Sequence, residues 1–203
     1  MKKFELGDSI SFKNTAEGLG VIALIHKDKE DIEGHLLADE GYGVTQFLSI
    51  LLNIELQIMG REAIPPSKDS VSGRIRGYHP ATIVIEEPET HLHPRFQSML
   101  AEMFVEAYKK YSIHFIIETH SEYLIRKLQT YIPLSAVNEK EGLKEDEISL
   151  YYLYNPDPTK RPKREPQVKK IGFRKDGSLD SPFGSGFFDE ADNLAMSLLI
   201  GNK

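Results

Sequence analysis

Apolar and polar positions along the chain fall into three kinds of pattern, and each predicts a different element. Up to residue 35, short apolar pieces at Ile10 to Phe12 and Val21 to Ile25 lie among glycine and charge, which predicts strands and turns at a sheet edge. In DEGYGVTQFLSILLNI the spacing changes. Gly41 and Gly43 precede a segment apolar on nearly every face from Phe47 to Ile54, which predicts a buried helix entered from a glycine turn. From Gly60 to Pro80 the chain is polar and broken by Pro65-Pro66 and several Gly and Ser, as in an exposed, mobile loop.

Beyond that loop the pattern becomes regular. Ile83, Val84 and Ile85 form a β-branched run without alternation, which predicts a central strand covered on both faces. Phe96, Met99, Leu100, Met103, Phe104, Ala107, Tyr108 and Tyr111 follow at helical spacing, with Pro94 suited to the first turn. A second strand, Ile113 to Glu118, leads into another helix carrying Leu124, Ile125, Leu128 and Ile132. Strand, helix, strand, helix is the grammar of a parallel sheet in an α/β fold. After it, Ile148 to Asn155 and Gln167 to Phe173 predict a hairpin around the Pro-rich stretch PDPTKRPKREP. A Gly/Ser loop and an amphipathic helix with Phe188, Ala191, Leu194, Ala195 and Leu198 close the chain. There is no internal repeat, and no second domain is expected.

Composition narrows the function classes. The 203 residues carry 25 Lys and Arg against 31 Asp and Glu, a net charge of −6, which argues against a uniformly positive nucleic-acid-coating surface. A local contact to DNA phosphates stays open through Lys160, Arg161, Lys163, Arg164, Lys169 and Lys170, although such a run more often forms a solvated loop. Tyr151, Tyr152 and Tyr154, at strand spacing, are expected to pack on the sheet. Without cysteine there is no thiol nucleophile, no disulfide and no cysteine metal site, and a cytoplasmic location is expected. The longest apolar stretch, Phe47 to Ile54, is too short to cross a bilayer, so no membrane association is expected.

Candidate chemistry concentrates at the ends of the two predicted parallel strands. Glu86 and Glu87 stand where the first one stops, in IVIEEPETHLHP, and ligands of open α/β sheets bind beyond the carboxyl ends of strands. Adjacent acids there suit phosphate transfer, one carboxylate holding Mg²⁺ and the next orienting the attacking water. They could also serve only to cap the strand and favour the following helix N-terminus. The second strand ends in IIETHS, which puts Glu118, Thr119 and His120 on the same sheet edge. A histidine at that position can sense or stabilise a phosphate. In DEGYGVTQ, glycines, the Thr45 hydroxyl, the Gln46 amide and a helix N-terminus could meet an anion, although a plain tight turn explains the glycines equally well. A different class remains: His91 and His93, with Glu89, Glu118, His114 and His120, could form a His/Glu metal site of a hydrolase.

The order of the three elements, DEGYGVTQ, then IVIEEPETHLHP, then IIETHS, resembles the C-terminal half of an ATP-binding-cassette-like AAA ATPase. The relatives are the SMC, RecF and OLD (overcoming lysogenization defect) group, especially prokaryotic AAA family ATPases with a small C-terminal domain of unknown function. The likeness covers most of Asp39 to Leu199. It implies the C-terminal part of a P-loop NTPase fold, a mostly parallel sheet flanked by helices with a C-terminal hairpin and helix. By that resemblance residues 1–203 are a single partial ATPase domain, with the signature, Walker B and switch-histidine region at about 36–135 and the C-terminal extension at about 146–203. Glu86 matches the Walker B acid serving Mg²⁺, Glu87 the catalytic carboxylate and His120 the switch histidine. Gly41, Gly43, Thr45 and Gln46 match the signature that would reach the ATP of a second protomer, Thr45 standing where serine is commoner. His91 and His93 match the D-loop near a dimer face.

The sequence contains no G-x-x-x-x-G-K-[ST]. That loop supplies the backbone cradle, the lysine for the β- and γ-phosphates and a hydroxyl for Mg²⁺. ATP and Mg²⁺, the implied cofactors, would both require it, and the isolated chain is expected to be inactive as an ATPase. Two assemblies follow as expectations: a homodimer, or a complex with a P-loop-bearing partner chain in which this chain is a split or regulatory piece. A DNA-related or phage-defence task is the process that the resemblance implies.

Overall fold

The computed structural model describes residues 7–15, 21–62 and 81–200. The chain divides into two compact units, Met1–Leu124 and Ile125–Lys203. In the first, β1 (Ser9–Asn14), β2 (Val21–His26) and β3 (His35–Leu36) form an antiparallel sheet in that order, as the short apolar pieces predicted. A 3₁₀ turn, Leu37–Glu40, then leads through Gly41 into α1 (Tyr42–Glu62).

The centre of the first unit is a βαβ element: β4 (Ala81–Glu86), α2 (Pro94–Tyr111) and β5 (Ile113–Glu118). The strands pair in parallel from Ala81 opposite Ile113 to Glu86 opposite Glu118. Helix α2 has clear sequence causes. His93 caps it, its Nδ1 accepting the Arg95 N–H at 3.3 Å; Pro94 occupies the first turn, where its missing N–H costs nothing. Ser112, left-handed at φ +53°, ends the helix and turns the chain directly into β5. Leu100, Ala101, Met103, Phe104, Val105 and Ala107 form its buried stripe, and Phe104 meets Phe115 of β5 with ring centroids 4.8 Å apart. Phe47 and Leu48 of α1 are fully buried in the same unit, Phe47 edge-on to Phe96.

Helix α3 (Glu122–Val137) starts at the end of the first unit and continues into the second. There, β6 (Leu150–Leu153) and β7 (Val168–Ile171) form the expected antiparallel hairpin. Pro133 lies inside α3, so the Gln129 carbonyl has no helical donor. Gly177 approaches at that point, at φ +81°, and its carbonyl accepts from Gln129 Nε2 at 2.8 Å. A Cβ on Gly177 would collide with the Gln129 carbonyl oxygen. The chain ends in α4 (Glu190–Ile200).

The structure departs from the sequence pattern at several places. Helix α1 begins at Tyr42, so Gly43 lies within the helix and not in a turn before it. Its buried residues are Phe47, Leu48, Ile50, Ile54 and Ile58, while Leu52, Leu56 and Met59 are exposed. Strand β4 is not covered on both faces: Val84 is 66% exposed and its parallel neighbour Ile116 60%. Among the described residues the parallel sheet has only these two strands, and Val84 and Ile116 mark an open part of its face. The closing helix starts after Phe188, which instead joins Phe183 and Phe187 in an aromatic cluster, and Leu194, Met196, Leu198 and Leu199 are exposed. Tyr152 packs against Tyr154 and Phe183 as expected, but Tyr151 is exposed. The loop expected from Gly60 to Pro80 lies outside the described residues beyond Glu62, up to which α1 continues. Among the described residues no helix is long and apolar enough to cross a membrane.

Two substitutions test this packing. Leu100→Ala, at a position with no exposure, should cost about 2–5 kcal/mol. Gly177→Ala, strained by both its φ and its neighbour, should cost roughly 1–3 kcal/mol. Each should appear as a lower urea midpoint at unchanged slope; an unmoved midpoint would contradict the contacts described.

Candidate functional site

Because β4 and β5 end in register, their last residues place a set of carboxylates at one sheet edge. Glu86 and Glu118 stand opposite each other, and the ladder continues one step further as the Glu87 N–H donates to the Glu118 carbonyl at 2.9 Å. The chain then turns sharply. Glu87 takes a left-handed conformation at φ +45°, Pro88 is fully buried, and the Thr90 N–H closes the turn on the Glu87 carbonyl at 3.1 Å. The Thr90 hydroxyl donates to Glu87 Oε2 at 3.2 Å, and the other carboxylate oxygen lies 3.8 Å from His120 Nε2. Glu87 and His120 are both exposed, so they face each other across water-accessible space.

The loops after β4 and β5 are laced together beneath this pair. Glu89 is buried, and its Oε1 accepts the backbone N–H of His120 at 2.5 Å. Gln97 of α2 donates to the Leu92 carbonyl at 2.9 Å and accepts from the Ser121 hydroxyl at 2.6 Å. Ser121 Oγ in turn accepts the Leu124 N–H at 3.0 Å, which caps α3. Glu89 entered the sequence reading only as a metal donor, and Gln97 and Ser121 had no assigned role. Ser121 before an apolar helical run carries an N-cap signal; Gln97 carries none, since a polar residue in a helix's first turn is unremarkable.

The carboxylates line a polar recess of about 410 Å³ with Tyr42, Gln46, Thr90 and His91. Gln46 is therefore brought to this chain's own acids. Gly43 lies against the adjoining surface, with Leu92 and Phe96 nearby. It has a packing reason to be glycine, because a Cβ there would come within 2.6 Å of the His91 carbonyl oxygen. Gly41, at φ +88°, makes the bend between the 3₁₀ turn and α1, and the Thr45 hydroxyl turns back to the Gly41 carbonyl at 3.5 Å. Neither Gly41 nor Thr45 lines the recess of the carboxylates.

A family comparison bears on this arrangement. The model of the AAA ATPase domain matches residues 3–125, more than half of the chain. The chain belongs to the AAA ATPase domain family. No curated protein and no solved structure matches it. The match takes in β4, α2, β5 and every residue of the carboxylate edge, and stops where α3 has barely begun. Membership implies a nucleotide, usually with Mg²⁺, as the ligand class.

The residues of this AAA ATPase domain fit that metal better than a zinc-type one. Mg²⁺ prefers oxygen ligands and is commonly held by one or two carboxylates, with water and substrate phosphates completing its shell. Glu86 and Glu118, in register on one recess, offer such a pair. Among the described residues no group of three or more His, Asp or Glu side chains could hold a metal ion unaided. Three of the four histidines of the metal-hydrolase reading have other contacts: His91 packs edge-on to Tyr42 with centroids 4.8 Å apart, His93 caps α2, and His114 packs edge-on to Tyr108.

If close approach explains Gly43, then Gly43→Ala should push the start of α1 away from the loop after β4. The expected cost is roughly 1–3 kcal/mol, the range for overpacking and backbone strain. A thermal midpoint equal to that of the unchanged protein would remove this explanation.

Proposed function

We propose that this chain is the hydrolytic half of an ATP site of the P-loop NTPase type, with an ABC/SMC-like order of motifs. The observation that carries the reading is the in-register end of β4 and β5, which sets Glu87 opposite His120 at 3.8 Å. In this role Glu87 orients and polarises the attacking water, general-base help that typically contributes 10²–10⁴-fold. Thr90 limits the freedom of the Glu87 carboxylate through its hydroxyl. His120, exposed at the same edge, contacts the γ-phosphate. Glu86, with Glu118 beside it, would hold Mg²⁺, which supplies charge neutralisation for the phosphates. Gly41, Gly43 and Thr45 would close the nucleotide site of a second copy in the dimeric form of this reading, whereas Gln46, expected to act with them, lines this chain's own recess.

The lining of the recess favours a shared site over a self-sufficient one. Among the described residues it presents three carboxylates and no Lys or Arg, a poor receptor for a triphosphate unless a cation-bearing segment approaches. A second chain carrying a P-loop would supply the backbone N–H groups and the lysine that this sequence lacks. A DNA-related task fits the exposed loop with Lys160, Lys163 and Arg164; Lys169 is held by Glu165 and the Pro182 carbonyl, and Lys170 lies 6.0 Å from the Tyr151 ring.

The test is ATP turnover by the 203-residue chain alone and together with a P-loop-bearing chain encoded beside it. The chain alone should be inactive, the pair active, and Glu87→Gln should cut turnover by about 10²-fold or more while sparing nucleotide binding. Turnover by the isolated chain, or an unaffected Glu87→Gln pair, would overturn the reading.

A further inference from the structure

We propose that Glu89 is a positioning residue that ties the loop carrying Glu87 to the loop carrying His120, and that the two side chains stay opposed only while this tether is made. The inference rests on the reading of Glu87 and His120 as the reacting pair. Its geometric part stands without it.

Glu89 is the only acid or base among the buried described residues, at 8% exposure. One oxygen accepts the His120 N–H, and the other, Oε2, has no hydrogen-bond partner. Desolvating a carboxylate for a single backbone bond is unfavourable, so an acid that served only to fill space would be a poor choice at this position. Its bond spans 31 residues of sequence and joins the two loops directly under the reacting edge.

Its neighbours show what the bond controls. On the Glu87 side the loop is already fixed, by the Glu87 N–H on the Glu118 carbonyl, the buried Pro88 and the Thr90 turn. On the far side Ser121 is fixed by Gln97 and by its cap on α3. His120 lies between these anchors. Its ring is three-quarters exposed and its ion-pair neighbour among the described residues is Glu87, so the direction of the ring depends on where the backbone at 120 is held. The Glu89 carboxylate holds its N–H from across the edge, whereas the other bond over this position, from the Ser121 N–H to Thr119 Oγ1 at 3.0 Å, lies within the loop and does not tie it to the Glu87 side. Truncating Glu89 should therefore free His120 locally and leave the Ser121 cap and the strand pairing in place.

The tether can be read without nucleotide on the full chain by NMR. In Glu89→Ala the His120 amide should exchange with solvent about ten-fold faster or more, while Leu124, capped by Ser121, keeps its rate. Glu89→Gln retains an acceptor of the same reach and should stay close to the unchanged protein. A double-mutant cycle gives the coupling. Glu87→Gln should shift the His120 ring resonances in the unchanged background and with Gln at 89, but not with Ala at 89. If the alanine variant fails to fold, Glu89→Asp keeps the charge, is one methylene too short, and should behave as alanine was expected to.

Equal His120 exchange and equal ring response in all backgrounds would overturn the proposal. In the P-loop-completed pair, Glu89→Ala should lower kcat about ten-fold or more at little changed KM, and Glu89→Gln should restore it. Undiminished kcat in the alanine variant would overturn the positioning role of Glu89. A tether seen by NMR in a pair that never hydrolyses ATP would instead overturn the ATPase reading and leave the geometry standing.

Discussion

The structure of the site depends on one constraint, the parallel register of β4 and β5. Parallel strands need a long crossover between them, and α2 supplies it. Its length and caps decide where β5 begins, because Ser112 turns the chain straight from the helix into Ile113. Since Ala81 pairs with Ile113, both strands run the same six residues and stop together at Glu86 and Glu118. A slip of one residue would turn every side chain to the other face. Glu86 and Glu118 would then no longer share a recess, and the loops that hold Glu87 and His120 would leave the strands at different heights.

Around that edge, side chains complete what the register begins. Gln97 and Ser121 join α2 to the start of α3, and Glu89 joins the two loops between them. The exposed pair at the top is thus supported by a largely buried polar layer, separate from the apolar stripe of α2. This division separates stability from chemistry in space. Leu100, Phe104 and Ile113 sit in the core, whereas Glu87 and His120 contribute little burial and depend on the layer beneath them for direction.

The strand–helix–strand unit was legible because its cues are local: two β-branched runs each ending in Glu, a proline at the helix start, and apolar residues at helical spacing between. The acids of the edge could be read for the same reason. Gly43 was harder, since Gly-Tyr-Gly signals a turn, and its actual constraint is the His91 carbonyl, 48 residues on. The exposure of Val84, Ile116 and the apolar residues of α4 could not be read at all, because burial is a property of neighbours and not of a residue's own character. Glu89 illustrates the same limit from the other side. In EEPE the three acids look alike, and only the fold puts one under the surface and leaves two in water.

The backbone at Glu87 carries a consequence of its own. A non-glycine residue in the left-handed region gives up of order 1 kcal/mol against glycine or asparagine, which tolerate it. The tightest turn at the edge is thus occupied by a residue that its backbone does not favour. A more comfortable chain would be reached by giving up the carboxylate, so local stability and an acid at this position pull in opposite directions. Substitutions chosen only to raise the melting temperature would remove the acid early, and a hardier protein obtained that way would have lost the group that faces His120.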